Sequence, residues 1–416
     1  MAYNNTGIDG NNRRLANVNT SGGSIAQLGG FIIPAGRPSN FAVSGGIDPY
    51  YRLAPIHSML TVAIGRYPII ILHNHDLQLE SIVYDAWNRV FENVVNDKRT
   101  PIWILNQDNR WLEPFYNMPE MQVISAIRQF AKKLDYTPTP KLDRVVRAHL
   151  RVLKELNIPT SLSGLYYLTQ FQDMGEFHGN ILSLPCGEAE GKLIWAEMGA
   201  DSDDGNNQFD LFRTVINTFA SEALQSAWNS DNSVAEINLQ SAFNSCGVLT
   251  LSINDMYSDL LLNYIHEEMR TSLGRQYLLI IDNLRITDDR FIDFLRQANS
   301  NCSLGIVGES VVDMFGDDEV FQKIAERMNL FVILKHSTGK TAERLSELFG
   351  KYDRTKIEQS SGSSRGFLSI LPRDRHKDIR YTTENAYRVM PEDIIGLGPE
   401  QAIIFETNSD RIIYYN

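Results

Sequence analysis

A seven-residue segment, Tyr277-Leu-Leu-Ile-Ile-Asp282-Asn283, constrains the fold more than any other part of this sequence. A run of large apolar residues that ends in an acidic residue is typical of a parallel strand buried on both faces. Such a strand brings its last side chain to the carboxyl edge of the sheet, where α/β proteins bind their ligands. The segment therefore predicts an α/β fold with a site, working or inherited, around Asp282.

Strand and helix patterns alternate on both sides of a long helical block. Between residues 110 and 244 apolar residues recur three and four apart, except in a polar interval over 187–208 that predicts a loop. We expect a disordered arm at 1–28, a discontinuous core formed by 29–109 and 245–416, and an inserted all-α domain at 110–244. The core is predicted to be a doubly wound, mostly parallel sheet that ends in a short hairpin after residue 400.

Composition excludes several function classes. The chain has 416 residues and a formal net charge of −12, which argues against broad nonspecific DNA binding, because phosphate contacts need clustered Lys and Arg. Its three cysteines are far apart and form no metal-binding spacing, so reduced thiols are expected. No apolar run approaches the length of a membrane span and no signal peptide is recognisable, so we predict a cytoplasmic protein.

The segment after Phe41-Ala-Val resembles a phosphate-binding loop that has lost its working residues. A functional loop needs Gly-x-x-x-x-Gly-Lys-Ser/Thr, which supplies backbone N–H groups, a positive charge and a hydroxyl for Mg²⁺. Counting from Gly46 puts Arg52 in the place of the Lys and Leu53 in the place of the hydroxyl, and counting from Gly45 also fails to restore the motif. Gly45, Gly46 and Arg52 are therefore predicted to form a degenerate phosphate loop.

The order of these pieces resembles the TraG/TraD-type coupling ATPases of bacterial conjugation and type IV secretion, in the FtsK/HerA superfamily. Its best local match runs from Tyr277 to Tyr352 and includes Thr341-Ala-Glu-Arg-Leu-Ser-Glu-Leu-Phe-Gly350; the tail Tyr387–Phe405 also matches. The resemblance covers roughly residues 30–416 and implies a RecA-like core interrupted by an all-α domain. It also implies a membrane anchor that this sequence is expected to lack.

Carried over residue by residue, the resemblance places Asp282 at the position that orders Mg²⁺. Asn283 stands where the family has the catalytic Glu, and an amide cannot take a proton from water. Glu309 falls near the family's phosphate-sensing Gln and departs from it. Three altered catalytic elements predict a pseudo-ATPase in which Asp282, Asn283 and Glu309 are vestigial. No cofactor is expected, although bound ATP with Mg²⁺ stays an alternative.

Two further motifs permit other interpretations. Gly339-Lys340-Thr341 looks like the end of a phosphate loop, but Leu334 stands where the loop-opening glycine belongs, which favours a helix start capped by Ser337 or Thr338. His73 and His75 follow a strand and could ligate zinc in a metal-dependent hydrolase, although no supporting ligand can be named.

The sequence thus predicts an assembly or adaptor subunit of a DNA-transfer or type IV secretion apparatus. Its expected partners are proteins, either an active ATPase relative, itself, or other components of the machinery, with weak or indirect DNA binding. Contact with the inner membrane is expected only through a partner. Two alternatives stay open: an active DNA-translocating ATPase with divergent motifs, and the metal-dependent hydrolase with His73 and His75.

Overall fold

A computed structural model provides the structure of this protein and describes most of the chain. The described residues are 18–21, 39–46, 49–74, 76–105, 111–113, 115–116, 118–171, 173–199, 203–224, 236–237, 239–253, 276–286, 289–297, 301–362 and 376–415.

Strands and helices alternate through the described residues. The strands are β1 (Val18–Ser21), β2 (Phe41–Ser44), β3 (Ile69–His73), β4 (Ile102–Ile104), β5 (Trp111–Leu112), β6 (Glu236–Ile237), β7 (Val248–Ser252), β8 (Tyr277–Asp282), β9 (Cys302–Gly308), β10 (Leu330–Ile333), β11 (Lys351–Gly362), β12 (His376–Tyr387), β13 (Ala402–Glu406) and β14 (Arg411–Tyr415). The helices are α1 (Pro49–Ala63), α2 (Leu77–Phe91), α3 (Glu120–Lys133), α4 (Pro140–Glu155), α5 (Leu162–Tyr167), α6 (Met174–Leu182), α7 (Glu188–Met198), α8 (Asp203–Leu224), α9 (Leu239–Ser245), α10 (Asp289–Gln297), α11 (Asp318–Ala325), α12 (Gly339–Leu348) and α13 (Pro391–Ile395).

The chain divides into two compact units, and the division falls inside β9. The first unit comprises Met1–Met59 and Ile306–Asn416, and the second comprises Leu60–Gly305. The sequence instead predicted a boundary at either end of the helical block, and those predicted domain limits stay a prediction.

In the first unit the strand order is β1-β14-β13-β10-β2-β9. Parallel pairing joins β2 to β10 and β1 to β14, while β13 runs antiparallel to both β10 and β14. The antiparallel pair β13–β14 is the closing hairpin predicted from the sequence. Every residue of β2 is buried, as expected of a strand with helices on both faces.

In the second unit the strand order is β9-β8-β3-β7-β4, and β3 pairs in parallel with both β7 and β8. All residues of β3 and β8 are buried, which confirms the apolar run before Asp282 as an interior strand. The predicted α/β fold with a mostly parallel, RecA-like sheet is therefore confirmed.

The second unit also contains the helical block, whose helices α3 to α8 share one hydrophobic core. Buried aromatic residues dominate its centre, with the rings of Phe130 and Phe219 4.9 Å apart. The two-residue strands β5 and β6 pair in parallel. In the chain, β5 precedes α3 and β6 follows α8.

The predicted loop over 187–208 is wrong in both halves, because Glu188–Met198 is helix α7 and helix α8 begins at Asp203. Ile194, Trp195 and Met198 are buried at helical spacing, and the Glu and Lys residues elsewhere in α7 made the interval look polar.

The long antiparallel pair β11–β12 was not predicted from the sequence. Within the predicted arm, Val18–Ser21 forms β1, whereas the other predicted arm residues lie outside the described residues. The sequence pattern also predicts a short strand over 29–34 and a helix over 257–272, and these segments lie outside the described residues as well. Among the residues that the structure describes, no helix has the length and apolar character needed to cross a membrane.

Candidate functional site

The segment predicted to be a degenerate phosphate loop lies in the first unit, between β2 and α1. Gly45 and Gly46 follow the last residue of β2 with φ angles of 103° and 86°, in the left-handed region that favours glycine. Glycine is also needed for space, since a Cβ on Gly45 would lie 2.7 Å from the carbonyl oxygen of Leu334. The two glycines are thus explained by a turn packed tightly against the end of β10.

The backbone donors of these glycines are engaged within the protein. The N–H of Gly45 donates to the carbonyl oxygen of Gly308 at 3.0 Å, and the N–H of Gly46 donates to that of Lys335 at 3.0 Å. A phosphate loop works by directing such N–H groups at the ligand. In this structure both donors instead join β2 to the strands on either side of it.

Arg52 lies one turn into α1, at the place that a phosphate-binding Lys would take. It is 1% exposed and is the largest of the fully buried side chains in the described residues. Its Nη1 atom is 3.7 Å from Oε1 of Glu309, the residue that follows β9. The side chain of Glu309 is 70% exposed, so one partner of this ion pair is buried and the other reaches solvent.

Two more polar residues, Ser44 and His336, lie beside the loop. Ser44 is buried at the end of β2, and its hydroxyl oxygen accepts a hydrogen bond from the N–H of Val311 at 3.3 Å. His336 is also buried, and that burial lowers the pKa of His336 to about 4. At neutral pH its imidazole is therefore uncharged.

These residues do not fit a nucleotide triphosphate with Mg²⁺ bound in the usual way. Leu53, which stands in the place of the Mg²⁺-binding hydroxyl, is completely buried in the core. The two glycine N–H groups are already used, and Arg52 faces a carboxylate. The structure thus agrees with the sequence-based interpretation of Gly45, Gly46 and Arg52 as a degenerate loop, although that interpretation stays a prediction.

The second unit holds a separate buried polar cluster at the carboxyl ends of its strands. His73 ends β3 and is the register partner of Asp282, which ends β8; both are fully buried. Nδ1 of His73 accepts a hydrogen bond from the N–H of Asp76 at 3.0 Å, so the ring proton resides on Nε2 in the neutral form. Nε2 lies 3.4 Å from Oε1 of Glu80, which is 1% exposed.

Nδ1 of His73 is thus engaged within the protein, and Nε2 lies beside the carboxylate of Glu80. His75 lies outside the described residues, and no group of three His, Cys, Asp or Glu residues in the described ranges could hold a metal ion. The predicted zinc site therefore gains no support. Asn283 follows Asp282 with a φ angle of 46°, so the chain turns sharply where the family's catalytic Glu would stand.

The motif Gly339-Lys340-Thr341 begins α12, as expected for a helix start. Thr338 occupies the N-cap position, but its hydroxyl lies 3.1 Å from the hydroxyl of Thr341 and makes no capping bond to the backbone. The capping role predicted for Thr338 is therefore wrong in detail.

Sequence reasoning missed Glu80 and His336. Glu80 lies in the first turn of α2, where an acidic residue is favoured by the helix dipole and is usually exposed, so nothing marked it as buried. The helix start at Asp76, whose carboxylate caps the N–H groups of Gln78 and Leu79, is the signal that could have placed Glu80 beside His73.

Comparisons with known proteins give matches among solved structures. The structure is similar to the unbound bacterial conjugative coupling protein TrwBdeltaN70, with a TM-score of 0.48 and 13% identity over 94% of this chain and 91% of that one. TrwB with a non-hydrolysable ATP analogue matches with a TM-score of 0.42 and 14% identity over 98% of this chain and 95% of that one.

A third match is VirB4 of Thermoanaerobacter pseudethanolicus, with a TM-score of 0.42 and 11% identity over 74% of this chain and 80% of that one. No protein-family model matches the sequence, and no curated protein matches it. TrwB is a conjugative coupling protein, the class of protein that the sequence resembles.

Proposed function

We propose that this chain is a catalytically degenerate relative of the conjugative coupling ATPases that acts as an assembly or adaptor subunit of a DNA-transfer or type IV secretion apparatus. The observation that carries this proposal is the internal use of the phosphate loop. The N–H groups of Gly45 and Gly46 bind protein carbonyls, and Arg52 pairs with Glu309. A loop arranged in this way keeps its structural role in the sheet and offers neither of these two N–H groups to a nucleotide.

A subunit that has lost its nucleotide site can still act as an adaptor if it keeps the surfaces that contact its partners. Packing surfaces and catalysis depend on different residues, so a degenerate subunit can keep its assembly contacts. The helical block has its own core and is braced by ion pairs on its surface, including that between Arg151 and Glu197 at 2.9 Å. With a net charge of −12, the chain is suited to protein partners rather than to the DNA backbone. We propose that the protein acts in the cytoplasm and contacts the inner membrane only through those partners.

The test measures nucleotide binding and turnover together with partner capture. Titration calorimetry with ATP and ADP, with and without Mg²⁺, is expected to show no saturable binding, and a phosphate-release assay with and without DNA is expected to show no turnover. A pull-down from the native host is expected to recover components of the secretion machinery. DNA binding is expected to disappear at physiological salt.

Asp282→Asn and Asp289→Asn provide the matched comparison for the turnover assay. Asp282 is buried at the end of β8, whereas Asp289 lies at the exposed start of α10. Turnover that is lost in Asp282→Asn and retained in Asp289→Asn would overturn the proposal. Salt-resistant DNA binding without a protein partner would replace the adaptor role with a DNA-handling one.

A divergent ATPase is the second candidate, and the buried cluster of the second unit favours it. Glu80, in helix α2, supplies a buried carboxylate 3.4 Å from Nε2 of His73, and His73 is the register partner of Asp282. Turnover that is lost in Glu80→Gln while the protein stays folded would select this candidate. The nearly complete burial of Glu80 argues against it, because a base must contact the attacking water.

A further inference from the structure

We propose that the two-stranded ribbon of β11 and β12 joins two copies of this chain, with the outer edge of β12 pairing antiparallel to the same edge of the second copy. This contact would give the proposed assembly subunit one defined partner, a second copy of itself. It rests on the proposed function only for its biological purpose, since the contact itself is independent of the loss of the nucleotide site.

The β11–β12 ribbon is long and has only two strands. The strands pair antiparallel over their whole length, and among the strands that the structure describes they form a separate sheet. At the base of the ribbon, the N–H of Arg388 donates to the carbonyl oxygen of Gly350 at 3.1 Å. A two-stranded ribbon is at best marginally stable in water, and a strand edge offers backbone N–H and C=O groups to a further strand. The ribbon is therefore suited to gain strands from a partner.

Two pairs of oppositely charged residues lie at opposing positions of the ribbon. Arg354 of β11 is the register partner of Glu384 of β12, and Glu358 is the register partner of Arg380. In β12, Thr382 lies midway between Arg380 and Glu384, and the three positions share one face because alternate residues of a strand do so. The strand thus carries a positive and a negative residue at equal distances on either side of Thr382.

This arrangement makes β12 complementary to its own copy. A two-fold axis at Thr382 would place Arg380 opposite Glu384 of the second copy and, by symmetry, Glu384 opposite Arg380 of the second copy. Across the four strands the charges would then alternate in sign, in the order Arg354, Glu384, Arg380 and Glu358. Opposite charges at directly opposing positions stabilise a pair of strands, whereas like charges destabilise it. Charge complementarity therefore favours a second copy as the partner of this edge.

A neighbouring register and the other edge of the ribbon place like charges together. Moving the two-fold axis from Thr382 to Tyr381 would bring Asp378 opposite Glu384. Pairing two β11 strands so that their Arg and Glu residues match would put Lys356 opposite itself at the axis. Both arrangements are disfavoured, so the sequence selects the edge of β12 and the axis at Thr382.

Sedimentation equilibrium of the full chain over a range of concentrations measures the association. The wild-type protein is expected to show a monomer–dimer equilibrium. Arg380→Glu is expected to weaken dimerisation at least about tenfold, because both symmetric pairs then bring two acidic residues together. Glu358→Arg is the matched control, since it also puts like charges at the Glu358 and Arg380 positions of the ribbon but changes β11. It is expected to dimerise nearly as well as the wild type.

A mixture of Arg380→Glu and Glu384→Arg separates a lost contact from a damaged ribbon. In the mixed dimer, both positions of one copy are acidic and both positions of the other are basic, so the opposite charges face each other again. The mixture is expected to recover dimerisation that each variant alone has lost. A ribbon that had merely lost its structure would not be rescued in this way.

Oxidative cross-linking tests the register. Thr382→Cys is expected to give a disulfide-linked dimer, because directly opposing residues of paired strands are close enough for a disulfide. Asp378→Cys, which lies away from the axis, is the control and is expected to give none; both variants contain the same three native cysteines.

Four results would overturn the inference: a wild-type protein that is monomeric at all concentrations, a dimer that Arg380→Glu leaves unchanged, a mixture that stays monomeric, or equal cross-linking of the two cysteine variants. None of them affects the proposed function, which would fail instead through ATP turnover by the wild-type protein.

Discussion

His73 and Asp282 lie side by side at the same register position of the adjacent parallel strands β3 and β8, and both side chains are fully buried. Sequence patterns identified each residue separately, one as a candidate zinc ligand and the other as a vestigial metal-ordering carboxylate. The structure joins them into one polar cluster with Glu80, whose carboxylate lies 3.4 Å from Nε2 of His73. The two residues therefore belong to one buried polar region at the carboxyl edge of the sheet.

Breaking the His73–Glu80 pair from one side is expected to be costly. Glu80→Leu removes the carboxylate beside Nε2 of a buried imidazole, and the loss of one partner of a buried ion pair typically costs about 3 kcal/mol of unfolding free energy. Chemical denaturation measures this loss. The double variant His73→Leu/Glu80→Leu is expected to be less destabilised than the sum of the two single variants, because neither group is then left without its partner. Additive losses would show that the two side chains act independently.

Helix α7 packs against the end of α6 through Gly191, and this contact can be tested with a matched pair of glycines. A Cβ on Gly191 would lie 2.6 Å from the carbonyl oxygen of Ile181, whereas a Cβ on Gly179 would meet no atom within 4 Å. Gly191→Ala is expected to destabilise the second unit by about 2 kcal/mol through overpacking. Gly179→Ala, inside α6, is expected to be neutral or to stabilise by about 0.5 kcal/mol.

Thermal or chemical unfolding of both glycine variants, monitored by circular dichroism, provides the measurement. Equal effects of the two substitutions would contradict the close approach of α7 to α6.

The parts of the fold that the sequence predicted are those set by strong local patterns. The apolar run before Asp282 predicted β8 because burial on both faces leaves no polar position in the strand. Helix α7 was missed because its buried residues, such as Trp195, alternate with charged ones in a short element.

The candidate site could be predicted only as far as residue types reveal it. The sequence shows that Arg52 and Leu53 stand where the phosphate-loop pattern has a Lys and a hydroxyl residue, and that Asn283 rather than a Glu follows Asp282. The pairing of Arg52 with Glu309 joins residues that are far apart in the chain, so it depends on how β9 lies beside β2. The burial of Glu80 likewise depends on tertiary packing that no local pattern encodes.

Gly45 is expected to be indispensable for the turn between β2 and α1. Gly45→Ala introduces a side chain at a φ angle of 103° and places a Cβ 2.7 Å from the carbonyl oxygen of Leu334. Backbone strain of this kind costs about 1–3 kcal/mol, and the contact with backbone atoms cannot be relieved by a side-chain movement. Gly339→Ala, at a position without atoms within 4 Å, is the control and is expected to leave the unfolding free energy nearly unchanged. A stable Gly45→Ala protein would contradict the turn as described.

The stability of the helical block is expected to fall as the pH is lowered from 7 towards 4, because of His149. This residue is fully buried in α4, and the centroids of its ring and the ring of Phe212 are 4.2 Å apart. Its Nδ1–H donates to the carbonyl oxygen of Val145 at 2.7 Å. Burial lowers the pKa of His149 from 6.5 to about 4. Between these two values the unfolded chain binds a proton that the folded chain excludes, so the free energy of unfolding decreases with decreasing pH. The full loss from this residue is about 3 kcal/mol, and it stops growing below about pH 4, where the folded state is protonated as well.

Urea denaturation between pH 4 and 7.5 measures this dependence. His149→Phe is expected to reduce its slope. His178→Phe, which replaces the half-buried histidine stacked on Trp195 in the same block, is expected to retain it. The buried His336 contributes in the same direction in the first unit, since burial lowers its pKa to about 4 as well. For His149→Phe the free energy of unfolding is therefore expected to depend less steeply on pH, without becoming independent of it. An unchanged dependence would show that His149 is protonated equally in the folded and unfolded chain.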